Sequence, residues 1–180
     1  YVVMEVSSHS LALGKLAPIT FEAAIFTNLT PEHLDFHRSI SEYLNAKLKL
    51  LPLSKKVIFN IDDFLLRSCA NGCTLPKKTV GILWRGDSYA TDLSEIDKER
   101  ASFIYRGEDY GFLVELGISG GFNVYNALMA ITAAIELGIK PCVAKESISR
   151  FRGVEGRNEI VYDEDITVII DYAHTEAAFE

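Results

Sequence analysis

Glu5 and His33 are of a type and placing that could hold a hard divalent cation. Glu5 lies at the end of the apolar run Tyr1 to Val6, just before the hydroxyls of Ser7, Ser8 and Ser10. His33 belongs to a cluster, Glu32, His33, Asp35 and His37, that follows the turn-forming stretch Thr27-Asn28-Leu29-Thr30-Pro31. Mg²⁺ takes one or two carboxylates, keeps waters and draws the remaining ligands from bound phosphates. Histidine is an unusual Mg²⁺ ligand. A second reading therefore stays open, in which Glu5 caps the turn at Ser7-Ser8 and His33 bonds a loop carbonyl. Lys47 stands among Leu44, Ala46 and Leu48. A lysine so placed usually snorkels its ammonium to water. Held near a metal it would lose solvation and its pKa would fall. The neutral amine could then take up CO₂ as a carbamate, an anion with carboxylate geometry.

A second group of residues suits a nucleotide. Gly120-Gly121-Phe122-Asn123-Val124-Tyr125-Asn126 places Asn123 and Asn126 on one face of a helix's first turn. Each amide offers a donor and an acceptor together, which fits a purine edge such as adenine. Simple helix capping by Asn123 is the alternative. Asp171 follows a strand and could accept from ribose hydroxyls, as acids at strand ends do in nucleotide folds. Arg157 and His174 could meet phosphates. The sequence has no GxxxxGK[ST] loop and no GxGxxG. A nucleotide-binding reading therefore puts the phosphate loop upstream of Tyr1. The opening inside an apparent strand, without initiator Met or signal peptide, and the stop at AHTEAAFE, which reads as a first helical turn, suggest a piece of a larger protein.

The elements that must position these groups follow from periodicity and turn chemistry. Tyr1 to Val6 is predicted as a buried strand, followed by a short helix through Leu11 to Leu13 that Gly14 stops. Phe21 to Phe26 is a strand that breaks at Thr27. Ser39 caps a helix, with Glu42 as capping-box partner and Ile40, Tyr43, Leu44, Leu48 and Leu51 at helical spacing up to Pro52. Lys56 to Ile61 and Thr79 to Trp84 are strands around a helix from Leu65 to Cys69. Arg85 to Arg100 is polar and reads as a loop. Ser102 to Tyr105 and Tyr110 to Leu116 read as an antiparallel element distinct from the parallel core. Helices are predicted from Phe122 to Leu137 and from Pro141, then strands at Glu159 to Tyr162 and Ile166 to Ile170, with a last helix opening after Asp171.

This alternation predicts an α/β fold, a mainly parallel sheet flanked by helices, with a small antiparallel β element. Right-handed crossovers put the carboxyl ends of parallel strands on one rim. Glu5, Asn28 with His33, Asn60 and Asp171 would then line one cleft.

Bulk properties narrow the function classes. The 180 residues suffice for one sizeable core or a domain with part of another. Apolar residues make up 48%, which argues against disorder. No apolar run reaches the ~18 residues that would span a bilayer. The net charge of −7, without a long basic block, argues against broad nucleic-acid binding. Cys69, Cys73 and Cys142 form no framework spacing and suggest reduced thiols in a cytoplasmic protein. Cys69 and Cys73 could form a metal or redox pair, or simply close a helix with two buried thiols.

Several segments, in order, resemble the Mur ligases, in particular those that add the third amino acid to UDP-N-acetylmuramoyl-L-Ala-D-Glu. MEVSSHSLALGKL is similar to that family's MEVSSHxL segment, and FTNLTPEHLDFH to its TNLxxDHLDxH signature, with Glu32 in place of Asp. SEYLNAKLKLL resembles the segment whose lysine is carbamylated, which maps to Lys47. NIDD, GGFNVYNAL, GVEGRNE and DYAHT complete the series. The resemblance implies ATP-dependent amide formation through an acyl phosphate. It implies Mg²⁺ at Glu5, His33 and the Lys47 carbamate, with Lys47 and His33 in catalytic roles. It implies adenine at Asn123 and Asn126, phosphate at Arg157, ribose at Asp171 and His174 close by. Ser7, Lys15, Thr27 and Asn28 would meet the UDP-muramoyl substrate. The partners implied are the UDP-N-acetylmuramoyl dipeptide, ATP and an amino acid, diaminopimelate or lysine. Residues 1–152 would be the central ATP-binding domain without its phosphate-loop part, and 153–180 the start of a C-terminal Rossmann-like domain. The piece alone would be inactive.

The sequence departs from the pattern at Lys15 (usually Arg), Glu155 (Pro), Asn158 (Met) and Glu176 (Pro). At Lys15 a bidentate contact becomes a point charge. Two other readings stand beside the first. One is a folylpolyglutamate or cyanophycin synthetase-type ligase; the other is a non-catalytic Mur-like nucleotide-binding domain.

Overall fold

Period-two alternation on one short strand explains the layering. Val57, Ile58, Phe59 and Asn60 form β2 (Val57–Asn60), buried along its whole length. Val57 and Phe59 face one core and Ile58 the other, because successive side chains of a strand point to opposite faces. A strand covered on both faces needs helices above and below it. The computed structural model describes residues 1–30 and 34–173.

The six-stranded sheet has the order β1-β2-β3-β4-β5-β6, with β1 at Ala24–Phe26, β3 at Lys77–Gly81, β4 at Ser88–Glu95, β5 at Ala101–Arg106 and β6 at Gly111–Leu116. The first four strands are mutually parallel and the last two antiparallel. Helices α1 (Ser8–Ala12), α3 (Ile40–Leu48) and α4 (Phe64–Gly72) contribute Leu11, Tyr43 and Leu66 to the core over β1 and β2. A short α2 (Leu34–His37) precedes α3. On the other face lie α5 (Gly121–Glu136) and α6 (Pro141–Arg150). A hairpin of β7 (Glu159–Asp163) and β8 (Thr167–Ile170) forms a separate two-stranded sheet.

Local signals set most of the boundaries. The Ser39 hydroxyl accepts from the Glu42 amide and starts α3, and Asp63 does the same for α4 through Leu66. Helix α5 ends in a Schellman motif. Ile139 N–H donates to the Ala134 carbonyl and Gly138 N–H to that of Ile135, with Gly138 at φ +87°. That conformation costs a glycine little and other residues more.

Four expectations change. Tyr1 to Val6 is not a strand: Val2 and Val3 are almost fully exposed. An apolar run becomes a strand only when a neighbour pairs with it, and among the described residues none does. Strand β3 ends at Gly81 rather than Trp84, because the amides of Ile82, Leu83 and Trp84 donate to the Asp62 carboxylate instead of a neighbouring strand. Ser88–Glu95, read as loop, is β4. Its polar residues hide a strand made by pairing Tyr89, Ala90 and Thr91 with Arg106, Tyr105 and Ile104. A bulge at Asp92, φ +54°, then shifts the register. The antiparallel element is therefore continuous with the parallel sheet. Ser88, Tyr105 and Thr132 stitch β4, β5 and α5 together by buried hydroxyl contacts of 2.8 and 3.3 Å. The last helix expected after Asp171 lies outside the described residues.

The cysteines form no disulfide. Cys69 and Cys73 are half-buried at the end of α4, and Cys142 is exposed. Burial, aided by Asp63 and then Cys73, pushes the Cys69 thiol up, which keeps it protonated and unreactive. No helix among the described residues is long and apolar enough to cross a membrane.

Candidate active site

Polar side chains tie the carboxyl ends of the parallel strands together. The Asn60 amide, at the end of β2, donates to the Thr27 carbonyl beyond β1 at 2.9 Å. Asp63 accepts from the Leu29 amide at 2.7 Å. Asp62 accepts from the three amides that follow β3 at 2.6 to 2.9 Å. It also accepts from the Tyr125 hydroxyl on α5 at 2.8 Å. These bonds fix the first turn of α5 against the rim, as expected if ligands sit beyond strand ends.

Next to this rim is an open cavity of about 1020 Å³. Glu5, Asn123, Asn126, Arg157 and Asp171 all line it, together with Lys98. The one-cleft expectation changes: Glu5 and Asp171 line this cavity, joined by Asn123, Asn126 and Arg157 of the nucleotide group, whereas Asn28 and Asn60 do not. Its walls come from the α5 N-terminus, the segment after α6 and the β7–β8 hairpin. Lys98 bridges the wall: its ammonium lies 2.6 Å from Asp163 and 3.0 Å from the Thr167 hydroxyl. The bond from Lys98, then that from Thr167, holds the Asp163 carboxyl below the usual carboxylate range. The pair is exposed, so its contribution is small.

The two amides on α5 are not equivalent. Asn123 donates to the Ser119 carbonyl at 2.7 Å, so part of the capping alternative holds: its NH₂ ties the loop to the helix. The Asn126 amide makes one long contact, 3.4 Å to Asn123 Oδ1, and is exposed. Asn126 thus keeps the freer hydrogen-bonding edge. Asp171 accepts from the amides of Asn158 and Ala173. Those bonds fix its carboxylate at the end of β8. The Arg157 guanidinium stacks over Tyr172, 4.7 Å from the ring centroid.

Glu5 is exposed on the cavity wall. The turn beside it is capped by Ser7, whose hydroxyl accepts from the Ser10 amide. Glu5 is therefore not the cap. Among the described residues, no three His, Cys, Asp or Glu groups gather as a metal cage. A single cavity carboxylate still fits Mg²⁺, which takes most of its ligands from phosphate and water. His33 and His174 lie outside the described residues. Lys47 does not line this cavity. It is half-buried on α3, its ammonium 4.9 Å from the Tyr43 ring centroid. Ser7, Lys15, Thr27 and Asn28 are exposed, away from the cavity lining.

Two structural roles were missed. His37 is buried and its Nε2 lies 2.8 Å from the Ser8 hydroxyl. This bond links the two segments that start with Glu5 and Thr27. Asp62 and Asp63 carry the loop contacts described above. A pair of acids after a strand was the available signal, but it does not say which loops they hold.

Residues 1–134 match the Mur ligase middle domain. The chain aligns with the UDP-N-acetylmuramoyl-L-alanyl-D-glutamate--2,6-diaminopimelate ligase of Syntrophomonas wolfei subsp. wolfei at 41% identity over 186 residues. The alignment covers 100% of this chain and 38% of that protein. The Clostridioides difficile ligase of the same name is 40% identical over 185 residues, with the same coverage. A solved structure bearing that name superposes with a TM-score of 0.80 at 29% identity, covering 97% of this chain and 37% of the other. The MurF ligase of Thermotoga maritima in complex with ADP superposes at 0.79 and 20% identity, over 97% of this chain and 40% of that one. At that identity the likeness is one of fold. The chain spans about 38% of the length of the curated relatives it matches. On the strength of the middle-domain match, the chain belongs to the Mur ligase family.

Proposed function

We propose that this chain is the nucleotide-handling part of an ATP-dependent ligase that adds the third amino acid to UDP-N-acetylmuramoyl-L-Ala-D-Glu, in the cytoplasm. Residues 1–152 would belong to its central domain and 153–180 to the start of its C-terminal domain. The carrying observation is the single cavity that collects Glu5 and Asn126 from before residue 153 and Arg157 and Asp171 from after it. An ATP-dependent ligase needs such a junction, because adenine, ribose and phosphates require different chemistry from neighbouring walls. The 41% identity to a diaminopimelate ligase supports this reading over a folylpolyglutamate-type ligase.

In this reading Asn126 reads the purine edge, with Asn123 stiffening its turn. Asp171 accepts from the ribose and Arg157 meets the phosphates. The substrate carboxylate attacks the γ-phosphate, ADP leaves, and the resulting acyl phosphate is attacked by the amino group with loss of inorganic phosphate. Mg²⁺, held by Glu5 and His33 and supported by a Lys47 carbamate, would offset the charge of the crowded oxyanions. Ser7, Lys15, Thr27 and Asn28 would hold the UDP-muramoyl substrate.

The test uses the full-length polypeptide that contains these residues. Given UDP-muramoyl dipeptide, ATP, Mg²⁺ and either diaminopimelate or lysine, it should release phosphate only when all four components are present. Nucleotide binding without any phosphate release would replace the catalytic reading by that of a non-catalytic Mur-like domain.

A further inference from the structure

The turn Asn60-Ile61-Asp62-Asp63 lies outside the cavity lining, yet its three polar side chains are all spent on other segments. Asn60 is buried; it accepts from the Asp62 amide at 3.0 Å while donating to Thr27. Asp63 divides its carboxylate between the α4 N-terminus, through Leu66, and the loop after β1, through Leu29. Asp62 accepts four hydrogen bonds, three from the amides after β3 and one from Tyr125. Three of these fall on Oδ2 and one on Oδ1, so Oδ2 has no acceptor position left. The backbone around it is fitted to that role. A side chain at Gly81 would run into the Trp84 carbonyl and lie 2.8 Å from Asp62 Oδ1.

Tyr125 links the turn to α5, the helix whose Asn123 and Asn126 line the cavity. It follows Asn123 and precedes Asn126 on α5. Residues on a helix are 100° apart, so pinning one side chain fixes the rotation of the turn. Burial first, and then the bond to Asp62, raises the Tyr125 phenol above its ordinary value. It therefore stays an O–H donor throughout the physiological range. Asn126 has only its long contact to Asn123 to orient it.

We propose that the Asn60–Asp63 turn is a positioning hub with two separable arms. Tyr125, through Asp62, sets the direction in which Asn126 meets the nucleobase. Asp63, through Leu29, sets the loop that carries Thr27 and Asn28 toward the acyl substrate. This inference rests on the nucleotide reading of the cavity.

Tyr125→Phe removes one oxygen and keeps the ring. In the full-length ligase it should raise KM for ATP by about tenfold, the usual scale for one hydrogen bond to a charged group. KM for the UDP-muramoyl dipeptide should stay within about twofold. Asp63→Asn keeps an acceptor for the helix cap but cannot satisfy both amides. It should give the reverse split. A general loss of structure would move both constants together, and that result overturns the hub; so does an unchanged KM for ATP in Tyr125→Phe. Calorimetric binding of ADP separates the two levels of inference. Wild type that binds ADP, with Tyr125→Phe binding it about tenfold more weakly, supports the hub even without turnover. Wild type that binds no adenine nucleotide removes the nucleotide reading and the hub with it.

Discussion

Replacing Lys47 by Ala in the full-length ligase is expected to reduce kcat by at least about 10²–10³-fold, the scale for losing a group that stabilises transition-state charge. The fold should survive. Lys47 lies on α3 beside, not within, its buried face of Tyr43 and Ala46, and Ala is the best helix former. The melting temperature should therefore change little. The proposed carbamate forms when the neutral amine adds to CO₂ and releases a proton; alanine has no amine, so added bicarbonate should not restore turnover. Lys47→Arg should be inactive as well, because a guanidinium keeps its proton and cannot add CO₂. Near-normal turnover in either variant would leave Lys47 as a lysine resting on Tyr43 and nothing more. Steady-state phosphate release, with circular dichroism as the folding control, decides between these outcomes.

The largest loss of stability is expected from Phe59→Ala. Phe59 is completely buried at the centre of β2 and stacks on Phe26 with ring centroids 5.2 Å apart. Its neighbours include Leu66 of α4 and Tyr43 of α3. Truncation removes the transfer energy of the ring and leaves a void that a strand paired on both sides cannot close. The cost should be about 3–5 kcal/mol. For a domain of this size, that corresponds to a fall in melting temperature of roughly 6–20 °C. Phe59→Leu keeps most of the volume and should cost less than half as much. Thermal melts followed by circular dichroism test the order. If both variants melt together with the wild type, the β1–β2 core is not where the stability resides.

How much of this was legible depended on the range of the forces involved. The α5 stripe of Val124, Ala127, Leu128 and Ile131 announces its own helix, and all four residues are buried. The run at β2 and the Ser39 cap are equally local signals, and they held. Strand β4 was hidden because Ser88, Asp92 and Ser94 are poor strand formers, and pairing with β3 on one side and β5 on the other makes it one. Tyr1 to Val6 failed in the opposite sense: a strong propensity has no expression without a neighbour to bond.

For the site, residue type pointed to Glu5, Asn126, Arg157 and Asp171, and the fold brings them to one cavity. Type could not reveal that Asn123 spends its amide on Ser119, nor that Asp62 binds a tyrosine 63 positions away. Such partners are set by how the chain returns on itself. The Ser8–His37 bond is of the same kind.

Ile58 belongs to the parallel half of the sheet, yet it sits in one core with Phe103 and Val114 of the antiparallel half and Leu128 of α5. No seam divides the two halves, and α5 lies across both. Deuterium should therefore enter the innermost amides of β2 and β5 through a shared opening event, at one common rate, rather than reaching the ribbon first.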